Sequence, residues 1–361
     1  MTILGIMSGT SLDGADYALC EIGRRAVELR EHWHAAFPAR LRERLRAAAA
    51  NECHSWELAQ LHNDLGQFYA RNARRRRRKP QGVGLHGQTV FHDAQRCATL
   101  QIGEPAWLAE GLRVPIVSNF RAGDISAGGQ GAPLATIFHV RVFAEKGRHV
   151  CVNNLGGISN VTSLDWRRGP KPRVIAFDTG PANMLLDLAI ARRTSSRRLF
   201  DRDGAWAARG KANEKLVTRW LKHPFLWKEP PKSTGREMFG EAFLNRISQQ
   251  AAGLSKFDLL ATLTQFTAQS IQLNYSRHLP SPPERIILCG GGVANKTLVG
   301  AIRGELRCEV FSCEDLGWPA QAIEPAAFAF LAWLRLNRLP GNIPGTTGAR
   351  RAALLGEIAE P

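Results

Sequence analysis

The chain has 361 residues, too many for one ordinary hydrophobic core, so two domains are expected. Hydrophobic residues make up 44% and charged residues 22%, the balance of a globular protein, which excludes a disordered chain. The 48 Lys and Arg against 32 Asp and Glu leave a formal net charge of +16, a surface that attracts phosphorylated ligands.

The N-terminal stretch, MTILGIMSGTSLDG, lacks a basic leader and is interrupted by Asp13, so no signal peptide is expected. No run of about 18 apolar residues occurs, and the expected location is the cytoplasm. The 7 cysteines are scattered without a CxxC pair, which argues against a disulfide framework or a zinc site. The basic run Arg74 to Lys79 follows a helical pattern (Leu58, Leu61, Leu65, Phe68) and reads as a solvated helix end. With no recognition helix or aromatic-basic motif, nucleic acid is not an expected partner.

Residues 2–7 and 15–22 read as strands of a hairpin around the turn Ser8 to Gly14, and residues 38–75 as helical. A strand at 82–85 runs into His86-Gly87-Gln88-Thr89, and another at 114–119 into the glycine-dense segment 121–131, which is expected to be a turn rather than helix or strand interior. After a helix near 134–144 the layout repeats: the strand from His149 ends in Gly156-Gly157, and ISNVTSL and VIAFDTGP follow. Helical patterns cover 182–193, 205–222, 240–252 and 256–278, the strand 285–289 enters Gly290-Gly291-Gly292, and helices begin near 295 and 325 before a polar tail. Segments 169–172, 230–235 and 280–283 carry the Pro and Gly punctuation of surface loops.

Three glycine-rich turns thus follow strands: 8–14, 155–160 and 289–295. Their backbone N–H groups suit phosphate oxygens because no side chain blocks the approach. No P-loop occurs and no GxGxxG stands in its expected context between a strand and a helix, so those readings are demoted; the pattern that remains resembles that of the superfamily of sugar kinases, actin and heat-shock chaperone ATPases.

The segments MSGTSLDGAD (7–16), HGQTVFH (86–92), LQIGE (100–104), GGQGAPL (128–134), FDTGPANMLLD (177–187), DRDGAWAARG (201–210), PKSTGRE (231–237) and CGGGVAN (289–295) resemble the anhydro-N-acetylmuramic acid kinase family, in order and nearly along the whole chain. The resemblance implies an α/β, two-domain actin-like ATPase (sugar kinase) fold with a central cleft that closes about a hinge. The expected domains are 1–145, completed by 325–361, and 146–324. It implies an ATP- and Mg²⁺-dependent kinase of peptidoglycan recycling: water opens the anhydro bridge of 1,6-anhydro-N-acetylmuramic acid while the freed oxygen at position 6 takes the γ-phosphoryl group. A homodimer is compatible with it.

By the same resemblance Asp178 is the expected catalytic base. Gly9, Thr10, Ser11, Leu12, Asp13, Gly14, Ala15 and Asp16 form the first ATP-binding turn, with Asp13 holding Mg²⁺, and Gly156 and Gly157 form the second. Gly290, Gly291, Gly292 and Asn295 are expected against adenosine, and Thr89, Arg121 and Glu324 against the sugar. Family members usually read DFRRRD where this chain has Asn119-Phe120-Arg121-Ala122-Gly123-Asp124, two basic side chains fewer. That departure keeps open a kinase of a related anhydro-sugar such as levoglucosan. A catalytically silent nucleotide-binding homologue is the other alternative.

Overall fold

Strand β1 (Thr2–Ser8) is apolar along both faces because both are covered. Ile3, Leu4 and Ile6 are buried in the computed structural model, which describes residues 1–9, 11–75 and 78–361. Thr10 and part of the basic run 74–79 lie outside the described residues. Strand β2 (Gly14–Ile22) pairs antiparallel with β1 as the expected hairpin, and β3 (Val27–Ala36) extends the meander. The parallel partners β4 (Gly82–Asp93) and β6 (Ile116–Ser118) continue the sheet on the other side of β1. Strand β5 (Ala98–Ile102) pairs with the far end of β4, and β12 (Glu357–Ala359) with β6. The polar tail therefore contributes an edge strand.

The helix Ile323–Leu336 is apolar nearly all round and buried against this sheet. Its backbone lies directly on two glycines that are partners across the β1–β4 ladder, Gly5 and Gly84. A Cβ at Gly5 would fall 1.7 Å from the Pro325 carbonyl oxygen, and one at Gly84 would fall 2.1 Å from that of Phe328. The missing side chains are what let the helix approach so closely.

One expectation is corrected in this part of the chain. Phe120–Ser126 is a short helix, not a turn, because only Gly123 interrupts it and Phe120 and Asp124, one turn apart, are both buried. The glycines that follow do form the turn, and the fully buried Asp124 holds it. Its carboxylate accepts from Gly131 N (2.8 Å), Asn342 Nδ2 (2.7 Å) and Thr347 Oγ1 (2.7 Å).

A second meander, β7 (His149–Leu155), β8 (Ile158–Asp165) and β9 (Arg173–Pro181), is antiparallel, with β10 (Arg285–Cys289) and β11 (Glu309–Ser312) parallel to β7. The order β11-β10-β7-β8-β9 matches β6-β4-β1-β2-β3 strand for strand. The two halves of the α/β fold therefore share one plan. The chain divides into two compact units, Met1–Val142 with Gln321–Pro361, and Phe143–Ala320. In the second, helix Lys256–His278 opens on Ser255, whose Oγ accepts from Asp258 N, and is tied to the sheet by Asn274 Nδ2 to Thr179 O (3.0 Å) and Tyr275 OH to Asn153 Oδ1 (2.9 Å). Among the described residues no helix is long and apolar enough to cross a membrane.

The glycine floor sets a stability test. Gly84→Ala forces a methyl into the Phe328 carbonyl and is expected to cost about 1–3 kcal/mol. Gly300→Ala, inside helix Lys296–Glu305 with nothing within 4 Å of its added Cβ, is expected to stabilise by up to about 1 kcal/mol. Urea melts of the two variants check both signs.

Candidate active site

The glycine turns stand where β-strands end. In the first, Leu12 N donates to Gly9 O (3.3 Å), Leu12 adopts a left-handed φ of 55°, and Ser11 Oγ donates to Asp13 Oδ1 (2.6 Å). Ser11 and Asp13 are exposed, whereas Leu12, Gly14 and Ala15 are buried. The turn is fixed from below by two long-range contacts: Ser8 Oγ meets the fully buried Tyr69 hydroxyl, and Gln88 Nε2 donates to Gly9 O (3.3 Å). Asp16 points from β2 toward His34 Nδ1 at 2.9 Å.

The expected sugar-facing residues of this unit form a charged group. Arg121 donates through one terminal nitrogen to Gly131 O (2.7 Å), and the other meets His86 Nε2 (2.9 Å). Burial pushes the His86 imidazole down to about 3, with the Arg121 charge adding to the effect, so His86 is the neutral acceptor. Burial lowers the Arg121 guanidinium to about 10, and Glu324 opposes this. Glu324 is exposed in the first turn of helix Ile323–Leu336. Loss of hydration, together with Asp16, raises its carboxyl, and Arg121 pulls it down. Thr89 is half-buried on β4 and accepts from Gln101 Nε2 (3.3 Å).

In the other unit the second and third turns interlock. The Gly156 carbonyl accepts from Asn183 N (3.0 Å) and the Gly157 carbonyl from Ala182 N (2.9 Å) and Met184 N (3.1 Å), so both are occupied by the start of helix Asn183–Arg193. Asn183 Nδ2 also donates to Leu155 O and Gly156 O, each at 2.9 Å. Gly290, at φ 82°, packs so tightly that a Cβ would fall 2.2 Å from Asn154 Oδ1. Asn295 Oδ1 caps helix Lys296–Glu305 by accepting from Leu298 N (3.0 Å). Thr297 Oγ1 donates to Gly204 O (2.9 Å), which docks the DRDG segment beside this turn.

Asp178, near the end of β9, is half-buried and gripped by the segment 232–234. Its N–H donates to Lys232 O (3.1 Å), and Thr234 N donates to its Oδ2 (2.8 Å). Burial raises the carboxyl to about 7. The Thr234 N–H works against that rise, Glu237 adds to it, and Lys232 lowers it again. A carboxylate poised there exchanges a proton near neutrality, which is what a general base requires. The punctuated segment 230–235 was expected to be a surface loop. It is a loop with Pro231 and Ser233 exposed, but it buries Lys232, a residue not singled out in the sequence. Among the described residues no group of three or more His, Cys, Asp or Glu side chains stands together as a metal site.

The sequence profile described as "Anhydro-N-acetylmuramic acid kinase" matches residues 1–361. A protein of that name from Picosynechococcus sp. is 42% identical over 382 residues, covering 100% of both chains. Another of that name, from Acaryochloris marina, is 41% identical and covers 99% of each. Among solved structures, the activator of the 2-hydroxyisocaproyl-CoA dehydratase from Clostridium difficile superposes with a TM-score of 0.47 at 12% identity, covering 94% of this chain and 96% of that one.

The raised Asp178 carboxyl has a thermodynamic consequence. Its folded value of about 7 lies above its unfolded value near 3.8, so its contribution to stability is fully present below the unfolded value and is lost as pH rises through about 7. Asp178→Asn keeps an oxygen for Thr234 N and carries no charge. It should melt a few degrees above the parent at pH 8, with the difference vanishing by pH 4. Differential scanning calorimetry at the two pH values reads this directly.

Proposed function

Since the chain belongs to the anhydro-N-acetylmuramic acid kinase family, we propose that it opens 1,6-anhydro-N-acetylmuramic acid with water and phosphorylates it from ATP to N-acetylmuramic acid 6-phosphate. The observation that carries the mechanism is the Asp178 carboxyl, half-buried, with Oδ2 taken by Thr234 N–H and a proton affinity tuned to neutrality. Asp178 takes a proton from water as the water oxygen bonds to the anomeric carbon. The bond from that carbon to the oxygen at position 6 breaks, and the freed oxygen takes the γ-phosphoryl group, releasing ADP. General-base assistance of this kind is typically worth about 10²- to 10⁴-fold.

Phosphoryl transfer depends on positioning and on neutralising charge. The first turn (Gly9 to Asp16) and Gly156-Gly157 are assigned to the phosphates, supported by the carbonyls of the second being taken by the start of helix Asn183–Arg193, which keeps them from an anion. Gly290 to Gly292 are assigned to adenosine. Asn295 serves that turn through its helix cap rather than by direct contact. Asp13 fits a hard cation, since its carboxylate and the Ser11 hydroxyl beside it are exposed oxygen donors. A Mg²⁺ ion held there through water would screen the phosphate charge.

Thr89, Arg121 and Glu324 are assigned to the sugar, with the Arg121 guanidinium, tied to Gly131 O and His86 Nε2, supplying a fixed positive charge. Two positions of the sequence departure at 119–124 face away from that group. A Cβ at Gly123 already meets Leu354 O at 2.8 Å, so position 123 faces the C-terminal segment, and Asn119 donates to Glu357 Oε1 (2.8 Å).

Asp178→Asn is expected to lower turnover by about 10²- to 10⁴-fold while ATP affinity by calorimetry is unchanged. The same assay, run on 1,6-anhydro-N-acetylmuramic acid and on levoglucosan with labelled ATP, should show preference for the former. Normal turnover in the variant, or preference for levoglucosan, would reject the corresponding part of this assignment.

A further inference from the structure

Lys232 is 5% exposed, and its ammonium has three neighbours for its three N–H groups. It donates to the carbonyls of Phe225 and Leu226 and to His278 Nε2, each at 3.3 Å. The rings of Phe225 and Phe177 lie 5.1 and 5.7 Å from the nitrogen. His278 Nδ1 is 3.2 Å from Glu229 Oε2. Neutral His278 with its proton on Nδ1 satisfies both contacts at once: it donates to Glu229 and accepts from Lys232. Burial and the Lys232 charge both hold the His278 imidazole below its ordinary value, which keeps it in that neutral form.

The same residue's backbone is one jaw of the grip on Asp178. Lys232 O accepts Asp178 N–H, and two residues on, Thr234 N–H holds the carboxylate. Phe177, next to Asp178, packs edge-on against His278 at 5.7 Å. Side chain and backbone of Lys232 thus join the base to the ends of two helices, Pro224–Trp227 and Lys256–His278.

We propose that Lys232 is a positioning residue for the reaction: its protonated ammonium, tied to Phe225 O, Leu226 O and His278 Nε2, fixes the segment 232–234 that aims the Asp178 carboxylate. The inference rests on Asp178 being the base. A neutral amine has two N–H groups and a lone pair, so deprotonation breaks one tie. Burial lowers the Lys232 ammonium to about 8, with Glu229 and Asp178 opposing and Arg277 and Lys228 reinforcing that shift. Turnover should therefore rise with pH as Asp178 ionises, Glu237 being the other charged group that acts on it, and fall again as Lys232 loses its proton.

The test is the pH profile of kcat for the full chain with ATP and the anhydro-sugar. Lys232→Met should lower kcat at least about tenfold with sugar KM changed by less than about threefold. Glu229→Gln removes a charge whose side chain is 76% exposed and leaves the core intact. It should move the alkaline limb to lower pH by roughly half a unit, a shift that a merely structural lysine would not produce. Should Lys232→Met fail to fold, the Glu229→Gln limb decides alone. Asp178→Asn run alongside separates the two ideas: if it turns over normally, the base assignment fails. If Asp178→Asn is inactive while Glu229→Gln keeps the parental alkaline limb or Lys232→Met keeps parental kcat, the positioning role alone is overturned.

Discussion

A carboxylate holds a proton affinity near neutrality only if its charge is neither freely hydrated nor neutralised by a close cation. Asp178 satisfies both conditions by backbone means. One oxygen takes a peptide N–H, which orients the group without fully stabilising its charge, while partial burial supplies the opposing push. Lys232 is near enough to lower the carboxyl but is committed to Phe225 O, Leu226 O and His278, so it does not form an ion pair with it. The proton affinity of the Asp178 carboxyl is thus set by where β9 ends and by what holds the segment 232–234 against it.

The scaffolds that carry such strand ends solve one packing problem twice. A meander of three antiparallel strands is extended by two parallel ones, and in both units the first strand ends in a glycine turn. A helix can cover the first sheet closely because Gly5 and Gly84 are register partners with nothing projecting from their upper face. In the second unit the closeness falls at the turns, where Gly290 rests on Asn154 and Leu155. Rigid turns follow from the packing beneath them, which suits groups that must receive a polyanion without rearranging.

Elements with strong local pattern were legible in the sequence: the β1–β2 hairpin, β7 to β9, and the helices Lys256–His278 and Ile323–Leu336. Four strands were not, the five-residue β5 among them. In β3 the half-buried face is Val27, Leu29, Glu31, Trp33 and Ala35, an edge pattern diluted by a charge. The strands β11 and β12 span 4 and 3 residues, too short for periodicity to register. The helix Phe120–Ser126 was masked by glycine density, and its cause is tertiary, since Asp124 is satisfied by Asn342 and Thr347 more than 200 residues away. Lys232 was hidden for a related reason: between prolines and a glycine a lysine reads as surface, and only the distant His278 shows otherwise.

The site's two halves of legibility therefore have different origins. Glycine turns announce themselves because backbone conformation is written in local residue types, and Asp178 was found through the motif that surrounds it. What aims Asp178 is written nowhere locally, because Phe225, His278 and Glu229 reach it only through the fold. The departure at 119–124 follows the same logic. Asn119 sits at a left-handed φ of 54°, which asparagine tolerates, and its amide donates to Glu357 as an aspartate could not. Position 123 has no room for a side chain against Leu354. Positions 119 and 123 thus answer to the C-terminal segment that packs on them.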